Sequence, residues 1–248
     1  MRQDQCRVVA NGSLDSGHYL LEIDCDPLGQ PARAGQFLML RPQPGWSDPL
    51  RHPAFFSRGG HIGQLLLPQS EAWAGDLGSL LPEETVDALG PLGQPFELRP
   101  GASRLLIVAL AEPVAPALAV AHWGVRQDCA VSLILGQPSW RPLTDLVPDT
   151  VECTVGPLDS LLGLADELRW ADQLFLVSPP DDLERHAGAI ERARLRLAEG
   201  FAGVLVPTDF ACGVGACGGC TRRGTRRQHT VCSDGPILGD CRWHHGAL

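Results

Sequence analysis

The sequence predicts a β domain joined to an α/β domain: an N-terminal antiparallel β-barrel, then a doubly wound α/β domain, then a cysteine segment. Three observations carry this. The first hundred residues hold short alternating stretches cut by Pro and Gly, and from about Arg99 continuous apolar runs alternate with helical stretches. The last 37 residues hold four cysteines spaced C-x4-C-x2-C-x11-C. The expected divisions are 1–98, 99–206 and 207–248.

In the barrel zone His18 to Cys25 alternates, with Tyr19, Leu21, Ile23 and Cys25 on one face and His18, Glu22 and Asp24 on the other, the period of a half-buried strand. Gly35 to Arg41 and Thr85 to Leu89 read the same way. Turn clusters such as Asp26-Pro27-Leu28-Gly29 and Arg41-Pro42-Gln43-Pro44-Gly45 separate them. Short strands at this spacing suit a small barrel. In the second zone Leu105–Leu110, Ala130–Leu135, Leu174–Val177 and Val204–Val206 are short apolar runs, as expected of parallel strands covered on both faces. Helices are expected over Ser160–Trp170 and Asp182–Glu199, the second with Leu183, Ala187, Ile190, Arg194 and Leu197 at helical spacing. Such β/α alternation implies a doubly wound sheet.

Hydrophobic residues are 44% of the 248 and charged residues 20%, an ordinary globular composition with no apolar run long enough to span a membrane. No apolar signal region opens the chain, so a cytoplasmic setting, which keeps thiols reduced, is expected. The net charge of −9 argues against a nucleic-acid partner. From Cys212 onward, however, Arg222, Arg223, Arg226, Arg227 and Arg242 face only Asp234 and Asp240, so this tail is net +3 and the remainder −12. Such a collar is either a solvated loop or a docking surface for an acidic partner. No catalytic triad, H-E-x-x-H segment or Walker loop is present, which removes the hydrolase and phosphotransfer classes.

Cys212, Cys217, Cys220 and Cys232 are the candidate metal ligands. Four thiolates in a C-x4-C-x2-C run with a distant fourth supply a plant-type 2Fe-2S cluster. The interleaved Gly213, Gly215, Gly218 and Gly219 let backbone approach the sulfurs with N–H groups free. The alternatives are structural zinc, for which only Cys217 and Cys220 form a knuckle, and disulfides or free thiols. A Rieske centre would need histidine ligands, and His229 is a lone neighbour, read as an exposed loop residue. Cys6, Cys25, Cys129 and Cys153 read as small core residues, and Cys241, near His244 and His245, as a terminal thiol or a spare ligand. The six tryptophans, Trp46, Trp73, Trp123, Trp140, Trp170 and Trp243, show no stacking-platform spacing and read as packing residues.

Barrel, α/β domain and cysteine segment together resemble the electron-transfer subunit of the two-component, NAD-dependent dihydroorotate dehydrogenase, within the ferredoxin-reductase superfamily. Ala34-Gly35-Gln36-Phe37-Leu38-Met39-Leu40 is similar to that family's P-G-Q-F strand, and Leu89-Gly90-Pro91-Leu92-Gly93 to its interdomain turn. The segment from Ala211 to Cys220, closed by Val231-Cys232-Ser233-Asp234-Gly235-Pro236, is similar to its cluster loop. The resemblance implies NADH oxidation, electrons passing through FAD to the cluster, a flavin-containing catalytic partner in a hetero-oligomer, and pyrimidine biosynthesis as the setting.

The nucleotide motifs depart from that pattern. The family's Arg-Pro-x-Ser flavin strand corresponds to His52-Pro53-Ala54-Phe55, flanked by Arg51 and Ser57, so Arg51, His52, Pro53 and Ser57 are the candidate flavin contacts. A one-residue shift turns a side chain to the other face, so Arg51 and Ser57 substitute only where the strand bulges. The next flavin contact falls near Trp73-Ala74 and Gly78, without hydroxyls. The family's glycine-rich nucleotide turn corresponds to the run from Ala109 to Pro116, with no glycine and with Glu112 placed where a helix dipole would attract phosphate. Val177-Ser178-Pro179 stands for its Cys-Gly-Pro segment. The expectation is therefore an oxidoreductase electron-transfer subunit with a 2Fe-2S cluster, FAD admitted and NAD not expected. The alternatives are a complete FAD-containing, NADH-oxidising reductase and a non-catalytic assembly subunit with a structural cluster.

Overall fold

The computed structural model describes residues 1–29, 32–41, 50–194, 196, 198–223 and 228–239. Strands β1 (Arg2–Leu14), β2 (His18–Asp24), β3 (Phe37–Arg41), β4 (His52–Arg58), β5 (Ile62–Pro68) and β6 (Thr85–Leu92) close into an antiparallel barrel in the order β1-β2-β5-β4-β3-β6. Helices α1 (Asp26–Gly29) and α2 (Ala72–Gly78) pack against it. Alternation fills the barrel: Leu21 and Ile23 of β2 point inward with Val8, Leu38, Leu40, Leu65, Leu67 and Val86. Strand β3 is buried on both faces. Leu38 and Leu40 belong to the barrel core, whereas Phe37 and Met39 join a second core that runs through the α/β domain.

The second domain contains β7 (Arg104–Ala109), α3 (Ala115–Arg126), β8 (Ala130–Leu135), β9 (Glu152–Val155), α4 (Ala165–Trp170), β10 (Gln173–Val177), α5 (Leu183–Ala193) and β11 (Ala202–Leu205). After these come a hairpin of β12 (Thr221–Arg223) and β13 (Gln228–Thr230), then α6 (Val231–Asp234) and β14 (Ile237–Leu238). The sheet order is β14-β11-β10-β7-β8-β9, parallel from β11 to β9, with β14 added antiparallel to β11. The winding reverses between β7 and β10, the switch point where open α/β sheets form a crevice. Within the cysteine segment, Ile237–Leu238 is thus a strand of the main sheet. Helix α3 is buried nearly all round because Ala115, Ala117, Ala119, Ala121 and Gly124 let it lie between the sheet and β4. A Cβ on Gly124 would stand 2.9 Å from Leu105.

Several expectations are corrected. His18, placed on the polar face, is 2% exposed because Glu112 and Ser16 hydrogen-bond its ring. Cys6 and Cys25 are core residues but do not sit singly: they face each other across β1 and the end of β2, at Cα atoms 4.7 Å apart. Cys129 and Cys153 are only partly buried. The stretch at 160–170 is broken: the Ser160 hydroxyl caps a 3-10 turn at Leu161–Gly163, and α4 starts only at Ala165. Helix α5 ends at Ala193, not Glu199, because Arg194 turns extended. Its guanidinium donates to the carbonyls of Leu168 and Ala171, 2.7 Å each, and lies 4.2 Å over the Phe201 ring. His229 is half-buried in β13 rather than a loop residue. As packing residues, Trp73 lies on the barrel core and stacks on His52, and Trp140 is core, both as expected. Trp46, Leu197, Arg226, Arg227, Cys241, Arg242, Trp243, His244 and His245 lie outside the described residues. Among the described residues no helix is long and apolar enough to cross a membrane.

Candidate iron-sulfur site

The cysteine segment lies on the barrel through small contacts. Phe210 packs on Phe37, ring centroids 4.9 Å apart. Gly213 then takes φ +71°, where a Cβ would stand 2.5 Å from Met39 Cγ, so only glycine lets the loop rest on β3. At Gly215, φ +78°, the turned backbone directs its N–H at Cys232 Sγ, 3.1 Å away. The Gly218 carbonyl accepts from the Thr221 hydroxyl at 2.7 Å, setting the turn through Cys220. On the far side of the hairpin, the Asp234 carboxylate accepts the Thr230 N–H at 2.8 Å and holds α6, which carries Cys232. The Cys232 N–H donates to Cys220 Sγ at 3.4 Å. From the interdomain turn, Gln94 Nε2 donates to the Ser233 carbonyl at 3.1 Å and the Gln94 N–H to Gly235.

The four sequence-selected cysteines fall into two neighbouring pairs within this segment, Cys212 beside Cys217 and Cys220 beside Cys232. The pairs differ in surroundings. Cys220 and Cys232 are 2% and 1% exposed, while Cys217 is exposed and Cys212 half-buried. Burial raises the Cys212 thiol, but the N–H groups of Val214, Cys217 and Ala216 and the Cys217 thiol outweigh it and bring it down to about 6. Burial, together with the neighbouring Cys220, pushes Cys232 up to about 12. Among the described residues no three His, Cys, Asp or Glu side chains are arranged as the ligands of a single metal ion. An all-thiol donor set, paired two by two with backbone N–H groups aimed at sulfur, fits a two-iron cluster. Bound there, such a cluster supplies one-electron redox chemistry.

The candidate flavin strand presents its residues differently. Arg51 donates to the buried Asp87 at 2.6 Å, a carboxylate that also accepts from Arg41 at 3.0 Å and Gln3 at 2.9 Å. His52 stacks on Trp73 of α2 with ring centroids 5.1 Å apart and planes within 2°. Pro53 pairs with Met39, and Phe55 turns into the core beside Phe37. The strand does bulge, between Phe56 and Arg58, but the Ser57 hydroxyl there turns inward to the Gln64 carbonyl at 3.2 Å. Helix α2 starts without a side-chain cap, next to Glu71, Ala74 is buried in the barrel core, and Gly78 lies against the Tyr19 ring.

At the nucleotide-type loop, Glu112 stands where the sequence placed it. One carboxylate oxygen accepts the Val114 N–H at the start of α3, 2.9 Å away, and the other meets His18 Nε2 at 2.9 Å. Ser178 at the end of β10 is buried against His186 Nδ1, 3.0 Å away. Sequence reasoning missed His18, Gln94 and Asp87. The first reads as an exposed strand residue, and the other two are brought to their partners by long-range packing that periodicity does not report.

Residues 208–239 match the iron-sulfur cluster binding domain of dihydroorotate dehydrogenase B. No curated protein matches the chain. Among solved structures, the chain is similar to an NADH-dependent reduced ferredoxin-NADP oxidoreductase of flavin-based electron bifurcation, at 18% identity over 94% of this chain and 87% of that one, TM-score 0.76. The ferredoxin reductase of carbazole 1,9a-dioxygenase superposes at TM-score 0.65, with 17% identity over 83% of this chain and 69% of that one. The cytochrome b5 reductase domain of Ulva prolifera nitrate reductase gives TM-score 0.59, with 13% identity over 82% and 97%. At these identities the structures establish the fold. The fold is ferredoxin-reductase-like, and within it residues 208–239, which hold Cys212, Cys217, Cys220 and Cys232, match an iron-sulfur cluster binding domain.

Proposed function

We propose that the chain is the 2Fe-2S subunit of a hetero-oligomer, relaying single electrons to or from a flavin-containing catalytic subunit of the dihydroorotate dehydrogenase type, with Cys212, Cys217, Cys220 and Cys232 as its ligands. The carrying observation is that Cys220 and Cys232 are buried and accept the backbone N–H groups of Cys232 and Gly215, inside the matched segment that also holds Cys212 and Cys217. The buried pair anchors the site in the core, and the exposed side around Ala216, Cys217 and Gly218 is the face a redox partner reaches. Arg222 and Arg223, exposed on β12, favour the more negative, reduced state. A cytoplasmic, thiol-reducing setting and pyrimidine synthesis complete this reading.

For FAD, Arg51, His52, Pro53 and Ser57 are the contacts to test, and binding there would require Arg51 to leave Asp87 and His52 to unstack from Trp73. NADH oxidation is not part of the reading, because Glu112 already accepts the N–H of Val114, the residue that precedes α3. Anaerobic purification followed by iron, acid-labile sulfide and extracted-flavin quantification tests it. Two irons and two sulfides per chain are expected, and zinc alone would overturn it.

A further inference from the structure

We propose that Glu112 is an internal ligand of the α3 N-terminus and clasps the α/β domain to the barrel, closing the switch-point crevice to free anions. Three observations converge on it. The β7–α3 loop leaves the sheet where the winding reverses, and its helix is 12 residues long and begins with Pro116 near its start, so few N–H groups remain for a ligand. One of these, on Val114, donates to Glu112 Oε2 at 2.9 Å, which puts a carboxylate on the positive end of the helix dipole. Its other oxygen meets Nε2 of His18, a barrel residue only 2% exposed, whose Nδ1 is held by Ser16 Oγ at 3.1 Å.

A carboxylate with both oxygens engaged, one by each domain, does what a bound anion would do between them. It satisfies the helix N-terminus and fixes the barrel against it. Glu112 is 32% exposed, so the position it fills opens to solvent, and removing the side chain leaves the Val114 N–H facing that opening. The clasp does not depend on the cluster, so its failure and that of the electron-transfer reading separate by experiment.

The test uses the full, cluster-loaded chain in a double-mutant cycle of Glu112→Gln and His18→Asn, each keeping a hydrogen-bonding amide. Each single change is expected to lower Tm by about 2–4 °C, and the double change to cost clearly less than their sum. Additive losses, or no loss in either single variant, overturn the clasp. Glu112→Ala is expected to gain a saturable rise in Tm with millimolar inorganic pyrophosphate that the native chain lacks. A native chain that responds equally, or a folded Glu112→Ala that ignores pyrophosphate, overturns the anion-site half. The visible circular dichroism of the cluster reports the iron site separately and should stay unchanged throughout.

Discussion

The cluster loop and the β7–α3 loop pose the same physical problem and solve it in opposite ways. Each brings backbone N–H groups to a place where negative charge can sit. In the cluster loop, Gly213, Gly215 and Gly218 take φ of +71°, +78° and +70°, and the Gly215 N–H points at Cys232 Sγ. The β7–α3 loop has no glycine, and its leading N–H is met by the chain's own Glu112. Backbone anion sites need residues that tolerate left-handed φ. Where glycine is present the site stays open for a ligand, and where it is lost a side chain closes it.

The sharpest way to break this contrast is at the thiols. Cys220→Ser or Cys232→Ser should abolish nearly all bound iron, measured as iron and sulfide per chain, since both sulfurs are buried inside the site. Retention of full iron by either variant would remove these residues from the ligand set. Next in size is Gly213→Ala, which forces a Cβ toward Met39 at a left-handed φ. It should cost about 1–2 kcal/mol of backbone strain alone, visible as a lower Tm and reduced iron content. Ala111→Gly in the other loop should leave iron content unchanged, and equal losses in both would erase the distinction.

A smaller effect is expected from Asp172, which ties the start of β7 to the start of β10. The Arg104 guanidinium, together with the Ser103 N–H and hydroxyl, holds its carboxyl well below the usual carboxylate range. A depressed folded-state pKa stabilises above the unfolded value of about 4 and is lost as pH falls below it. Asp172→Asn should therefore lower Tm at neutral pH and flatten its fall under acid, with the cluster spectrum unaltered. A Tm profile that still falls as steeply would assign the acid limb to other groups. The smallest change concerns Arg222 and Arg223: replacing both with Gln should lower the cluster midpoint by about 10–30 mV, from exposed charges in high dielectric. An unchanged midpoint in a redox titration would show that the collar does not tune the site.

Much of the fold was legible because its signals are local. The apolar runs of β7, β8, β10 and β11 and the alternation of β2 are periodicities that burial imposes on short windows. Helix ends were less so: Arg194 fits the apolar face of α5 by spacing but leaves the helix for carbonyls of another segment. The Cys6–Cys25 pair was missed for a similar reason, since 19 residues separate two cysteines that strand pairing sets side by side. His52 and Trp73 show the same limit, as their stacking depends on how α2 lies over β4.

The sequence by itself marked the candidate iron-sulfur segment, because four cysteines and the glycines between them lie within one short stretch. It also showed a β7–α3 loop that carries Glu112 and no glycine. Only the tertiary structure brings Glu112 to His18, since the two are 94 residues apart and meet only when the barrel and the sheet pack together. Spacing reports contacts that backbone geometry enforces over a few residues, whereas a clasp between domains exists only once both have folded.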